Sequence, residues 1–241
     1  MSDWVYGFFM AWGMFLAIPC PKKIWRESAR RKMLACLPLV GVVVGGVWAL
    51  CALVGGYLPQ PLSAALLAAS PWLTTGFLHL DGFMDVCDAV LSRRDLATRQ
   101  KILKDSHCGA FAVIGMVLLA LGQWSAFLSA ETVPLWALVL VPVGSRACGA
   151  LAVLTLPPIH TSQYVEMRRG GAPVVFAAVV LAAVTAMGLW LGSFAPLVTA
   201  AAYWLAAWYG CKQLGGMSGD VSGFALTVAE LFGVLTLAIG R

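Results

Sequence analysis

Charge is scarce in this chain. Asp, Glu, Lys and Arg make up 11% of its 241 residues, whereas soluble domains carry roughly 25%, and that shortage excludes a conventional soluble fold. Histidine occurs three times. Cysteine occurs seven times, an odd number, with no CxxC and no Cys/His pair at zinc spacing, so neither a disulfide framework nor a zinc site is expected. The cysteines read as small buried apolar residues. There is no low-complexity region and no repeat of solenoid period.

What fills the chain is apolar residue, 61% of the total, with a mean hydropathy of +0.86. The expectation is an all-α, polytopic, helical integral membrane protein, one membrane domain over residues 1–241 with about seven to eight apolar segments. These lie at 4–19, 34–56, 62–80, 109–129, 134–154, 173–191, 196–211 and 223–240. The first is short and runs into Pro19-Cys20-Pro21 without a cleavage site, so it reads as a retained helix that either crosses or re-enters the bilayer. The third is expected to continue as helix out of the bilayer to Leu91. Gly41 and Gly45 form a small-xxx-small face suited to close helix packing.

The formal charge is +5, but fourteen of the sixteen basic residues sit at 22–32, 93–104, 168–169 and 212. Those are alternate loops. The pattern is topological and gives no sign of a nucleic-acid partner; by the positive-inside rule these loops face the cytoplasm of a bacterial inner membrane. Only Arg146 lies within a span. An intramembrane arginine costs at least about 2.5 kcal/mol on insertion scales, so it should face a polar cavity or an acid.

Five of the eleven acidic residues fall between positions 74 and 109. On a helix, Asp81, Asp85 and Asp88 share roughly a 60° arc, where like charges need a counter-ion. Hard oxygen ligands select Mg²⁺, Mn²⁺ or Ca²⁺. Asp105 follows in Lys104-Asp105-Ser106, and Asp220 closes Gly215-Gly216-Met217-Ser218-Gly219-Asp220 on the same expected side, so all five aspartates can converge on one interfacial pocket. Beside them stand Arg93, Arg94, Arg99, Lys101, Lys104 and Lys212. Acids facing cations suit metal-bound phosphate, while positive-inside topology and attraction to anionic lipid account for most of the loop cations on their own. Glu230 is a second membrane-level carboxylate, either a proton carrier or a neutral hydrogen-bonding group. His79 points to nearly the opposite side of the helix from Asp81, either packed or acting as base or substrate contact.

His79-Leu80-Asp81-Gly82-x-x-Asp85-x-x-Asp88-Ala89, followed by Lys104-Asp105-Ser106-x-x-Gly109, resembles the cobalamin synthase (adenosylcobinamide-GDP ribazoletransferase) family. The likeness extends to Ile18-Pro19-Cys20-Pro21, Pro38-Leu39-Val40-Gly41-x-x-x-Gly45, Ser145-Arg146 and Gly215-Gly216-x-Ser218-Gly219-Asp220, with Glu230 behind. The family pattern favours glycine where Phe77 and Ala112 stand, threonine in place of Ser218, and a Gly-Leu-Gly run in the 156–171 loop, which here carries Arg168-Arg169-Gly170-Gly171.

The resemblance implies that α-ribazole or its 5′-phosphate attacks the cobinamide-attached phosphorus of GDP-cobinamide and expels GMP. It implies Mg²⁺ on Asp81, Asp85 and Asp88, with Asp105 or Asp220 as a further ligand or the base, and His79 among the catalytic candidates. Lys104, Ser106, Arg146, Lys212, Ser218, Asp220 and Glu230 are the expected substrate-binding set. The lipid bilayer, a second copy of the chain and other cobalamin-pathway enzymes complete the expected partners. Two rivals are a CDP-alcohol-type phosphatidyltransferase, whose Asp-Gly-x-x-Ala-Arg spacing fails at Met84-Asp85, and a cation-coupled transporter, whose ion sites lie nearer the midplane.

Overall fold

A computed structural model describes residues 2–159 and 171–239. Within them the chain forms helices α1 (Asp3–Phe15), α2 (Arg30–Ala35), α3 (Leu37–Gly55), α4 (Gln60–Thr74), α5 (Leu78–Leu91), α6 (Leu96–Ile102), α7 (Ala110–Ser129), α8 (Leu135–Thr155), α9 (Ala172–Trp190), α10 (Ala195–Leu214) and α11 (Gly219–Ile239). The only pairing of β type among the described residues is an isolated bridge between Pro158 and Met217. His160, Arg168 and Arg169 lie outside the described residues.

Five of these helices, α3, α7, α8, α9 and α11, are long and apolar enough to cross a membrane. The chain is therefore a multi-pass helical protein, with fewer clear spans than the seven to eight apolar segments expected. The others fall short for separate reasons. At about 1.5 Å per residue the thirteen residues of α1 reach only about 20 Å, and α4 has fifteen residues. The helix α10 is long enough, but it carries Tyr203, Trp204, Trp208, Tyr209, Lys212 and Gln213.

The expected continuous helix from 62 to 91 is broken at Thr75-Gly76-Phe77. Gly76 adopts φ +59° in the left-handed region, its N–H donates to Leu73 O, and Phe77 N–H donates to Trp72 O at 2.8 Å. This is the glycine-terminated helix end that satisfies two late carbonyls of α4 at once. A third, Thr74 O, accepts from Ala17 N at 2.9 Å. The chain then restarts as α5, placing Asp81 in a first helical turn.

The bundle is centred on α8, most of whose side chains are buried. It meets α3 through the anticipated small-residue face: a Cβ on Gly41 would stand 2.6 Å from Pro142 O, and one on Gly45 would stand 2.5 Å from Val139 Cα. The first helix does not run through the bundle. Asp3 at its start pairs with Lys32 at 2.9 Å and Arg26 at 3.3 Å, and Ala17 just beyond its end bonds to the carboxyl end of α4, so both ends are attached at the basic end of the bundle.

Phe77 also lies in the left-handed region, at φ 63° and ψ 3°, a conformation that costs an L side chain roughly 1–2 kcal/mol. This is the position where the resembling family favours glycine. Phe77→Gly is expected to be more stable than Phe77→Ala by about 1 kcal/mol, the reverse of the order inside a right-handed helix, as read by thermal unfolding in detergent.

Candidate active site

Helix α5 buries Leu80, Phe83, Val86, Cys87 and Val90 and turns Asp81, Asp85 and Asp88 away from that apolar face. It lies close against the start of α11 because both surfaces carry glycine at the crossing. A Cβ on Gly82 would stand 2.9 Å from Asp220 Cα, and one on Gly223 would stand 3.0 Å from His79 O. Thr227 Oγ1 donates to His79 O at 3.2 Å and fixes the same crossing. Asp220 is thereby brought to the acidic face of α5. Ser218 shapes the entry to α11: its Oγ accepts from Val221 N at 3.2 Å and donates to Asp220 Oδ2 at 3.4 Å, the ordinary role of a serine at a helix start.

The crowding is visible in the half-buried Asp85. Burial first, then the carboxylates of Asp81, Asp220 and Asp88, push its pKa up to about 7. Asp81 and Asp220, with His79 and Ser222, line a cavity of about 160 Å³ that Met14 and Phe15 of α1 roof over. Phe15 stacks on the His79 ring at 6.1 Å, and Ser222 Oγ is hydrogen-bonded to Tyr203 OH at 2.9 Å. Among the described residues, no three Asp, Glu, His or Cys side chains converge closely enough to hold a metal ion by themselves.

Asp88 acts on Asp85 through its charge, but its oxygens are engaged by the start of α7. Its Oδ2 accepts from Gly109 N at 2.6 Å and its Oδ1 from Ala112 N at 2.8 Å, so this carboxylate compensates the unpaired amides and positive end of α7. A Cβ at Gly109 would stand 2.6 Å from Asp88 Oδ1, so a larger residue there must displace that carboxylate. Arg146 and Glu230 also stand apart from the cavity wall. Both are buried, and Arg146 Nη1 donates to Glu230 Oε1 at 2.5 Å, which also accepts from Ser145 Oγ at 3.0 Å. The intramembrane arginine thus faces an acid, as its insertion cost demands.

The family model described as cobalamin-5-phosphate synthase matches residues 7–238. The chain belongs to that family. It is 35% identical to the adenosylcobinamide-GDP ribazoletransferase of Clostridium botulinum (strain Alaska E43 / Type E3), over 99% of each chain. The enzyme of the same name from Clostridium perfringens (strain 13 / Type A) is 35% identical over 95% of this chain and 96% of its own. That of Halalkalibacterium halodurans is 34% identical over 96% and 95%. No solved structure matches the chain.

Of the remaining residues of the cobalamin-5-phosphate synthase pattern, Lys104, Asp105, Ser106 and Lys212 are not part of the cavity wall. Asp105 is in the exposed α6–α7 loop with Lys104 and Ser106. Its Oδ1 accepts from His107 Nδ1 at 2.6 Å and His107 N at 3.0 Å, contacts that hold its pKa below the usual carboxylate range. The groups acting on Asp85 do not include it. Lys212 lies over the Trp208 ring, 5.1 Å from its centroid, and is not part of the cavity wall. The glycine loop before Asp220 is braced instead by Pro157–Ile159, through Met217 N to Pro157 O at 2.8 Å and Ile159 N to Met217 O at 3.0 Å. Arg99 and Gln100 of α6 hold the end of α10 at Gln213 and Leu214. Sequence reasoning missed the roof formed by Met14 and Phe15 and the close-approach role of Gly82 and Gly223; the glycine next to Asp81 was the available signal for the latter.

Three outcomes follow from this geometry. Because the folded-state pKa of Asp85 is raised, folding favours its protonated form. Stability of the metal-free protein should fall as pH rises from about 4 through about 7, and Asp85→Asn should flatten that fall in thermal melts run in EDTA. Asp88→Ala should cost about 1–3 kcal/mol by stranding two amides and speed hydrogen exchange at Gly109 and Ala112. Asp105→Ala, at an exposed pair, should cost less than about 0.5 kcal/mol.

Proposed function

We propose that this chain is an adenosylcobinamide-GDP ribazoletransferase of a bacterial inner membrane, with its cavity on the cytoplasmic side. A hydroxyl of α-ribazole, or of its 5′-phosphate, attacks the cobinamide-attached phosphorus of GDP-cobinamide. A P–O bond forms to that hydroxyl oxygen, the anhydride P–O bond breaks, GMP leaves, and the hydroxyl proton passes to a carboxylate. The observation that carries the reading is the meeting of Asp81 and Asp220 across one small cavity, in a chain that its family covers almost from end to end. The sidedness rests on the basic loops at 22–32 and 93–104, which flank the same end of the bundle as these acids.

Mg²⁺ is the cofactor we assign. Two facts support the fit: the donors are hard carboxylate oxygens, and Asp85 sits among three other acids with its pKa lifted to about 7. Mg²⁺ is commonly held by one or two carboxylates together with substrate phosphates and water, so no complete protein cage is required. Asp81, Asp85 and Asp220 are the residues that would hold it, Asp88 being engaged with the amides of α7. When bound, the ion supplies charge neutralisation for the diphosphate.

The chain's own residues do the rest. Of the two cavity-facing carboxylates, Asp81 and Asp220, the one not holding the ion offers the proton acceptor, in the cavity that Met14 and Phe15 also line. Lys104, on the exposed loop that ends at Gly109 beside Asp88, is the cation we assign to the negative charge gathering on the departing GMP.

The test is GMP release by the protein in liposomes supplied with Mg²⁺, GDP-cobinamide and α-ribazole phosphate. Mg²⁺-dependent release is expected. Its absence, under conditions where a ribazoletransferase of the family is active, overturns the reading. Asp85→Asn should insert and fold yet turn over about 100-fold more slowly or worse, the loss of several kcal/mol of charge stabilisation. Near-normal turnover at saturating Mg²⁺ would remove Asp85 from the metal site.

A further inference from the structure

The Ile18-Pro19-Cys20 stretch takes no part in the carboxylate chemistry, yet the structure builds something from it. After α1 the chain doubles back along the helix and is tied to it. Trp12 Nε1 donates to Ile18 O at 3.0 Å, Cys20 Sγ contacts Phe9 O at 3.5 Å, and Ala17 N is anchored on Thr74 O. Between helix and returning loop lies a groove of about 760 Å³, walled by Met10, Met14, Ile18, Pro19 and Cys20. Trp25, 59% exposed, stands at its rim, its ring oriented by a 3.0 Å hydrogen bond from Nε1 to Glu27 Oε2.

Size separates this groove from the catalytic cavity. Pockets for drug-sized ligands run from about 300 to 1,000 Å³, so a cavity of about 160 Å³ holds the reacting phosphates and little else. The bulk of a large substrate must lie outside it. The groove adjoins the cavity, Met14 forming part of both walls. A second depression of about 470 Å³ at Trp204, Trp208 and Lys212 shares no wall residue with the cavity. Composition then selects the occupant. Among the described residues that line the groove Lys23 is the one cation, too little for a nucleotide phosphate, whereas flexible methionines and an exposed indole suit the broad faces of a macrocycle.

We infer that the groove between α1 and residues 16–25 seats the corrinoid half of the donor, whose diphosphate passes Met14 to reach the carboxylates. This rests on the ribazoletransferase reading.

The experiment uses the full chain in lipid nanodiscs. Cobinamide alone, without GDP, is titrated and followed by its visible absorption and by quenching of tryptophan fluorescence. Gly13→Trp fills the groove, since a Cβ there meets nothing nearer than Cys20 at 3.7 Å. Trp25→Ala removes the exposed rim and should leave folding intact. Both should weaken cobinamide binding by about tenfold and raise the KM for GDP-cobinamide comparably, while the KM for α-ribazole phosphate stays within about twofold. Trp25→Phe should restore most of the binding.

Unchanged cobinamide affinity in Trp25→Ala overturns the inference, as do equal effects on both KM values or a groove that takes up only phospholipid. Should wild-type protein release no GMP, the transferase reading fails, and direct cobinamide titration still decides the groove. If GMP is released but groove variants behave as wild type, the groove assignment alone fails.

Discussion

Asp81, Asp85 and Asp220 repel one another, and the glycine-mediated crossing of α5 on α11 holds them together against that repulsion. Without side chains at Gly82 and Gly223 the two backbones approach until Asp220 Cα would touch a Cβ on α5. The consequence is electrostatic. A carboxylate such as Asp85, half-buried among three others, keeps its proton to about neutral pH, and any cation entering the cluster relieves repulsion already built into the fold. The site is thus charged with unfavourable energy before a ligand arrives, and that energy favours a cation and the anionic phosphates the cation can bring.

The same economy appears at the edges of the cluster, where the acids and cations of the family pattern divide between two tasks. Asp88 neutralises the start of α7, and in doing so pins the far end of the Lys104-Asp105-Ser106 loop beside α5. Arg99 and Gln100 pin the loop's other flank to the end of α10. The exposed loop is held at both ends by side chains that never reach the cavity. The position of the exposed polar segment therefore follows from helix-end chemistry, in which orphan amides and carbonyls must find partners.

The legible parts of the fold were those with a local or periodic signal. The acidic face of α5 follows from spacings of four and three, and the Gly41/Gly45 contact with α8 follows from a small-xxx-small pair. What escaped were features set by one residue's backbone state or by a partner distant in sequence. Gly76 sits inside an apolar run that looks like uninterrupted helix, and only its left-handed φ shows that α4 ends there. Arg146 and Glu230 each signalled a need for compensation, but that they compensate each other depends on how α8 crosses α11. The roof made by α1 escaped for the same reason: nothing in residues 3–15 states that both ends return to the basic side.

That buried pair has a bearing on the site ten residues away. Two charges taken out of water contribute little net stability even when well paired, yet they punish misalignment, because separating them leaves an uncompensated charge in an apolar bundle. Ser145 and Arg146 both converge on one Glu230 oxygen, so α11 has one acceptable rotation against α8. Asp220 lies about 15 Å along the same helix from Glu230. A slip of one residue would turn it by about 100° and carry its carboxylate off the face of α5. The glycines permit the close crossing; the ion pair, with Thr227 on the His79 carbonyl, determines which face of α11 is presented at it.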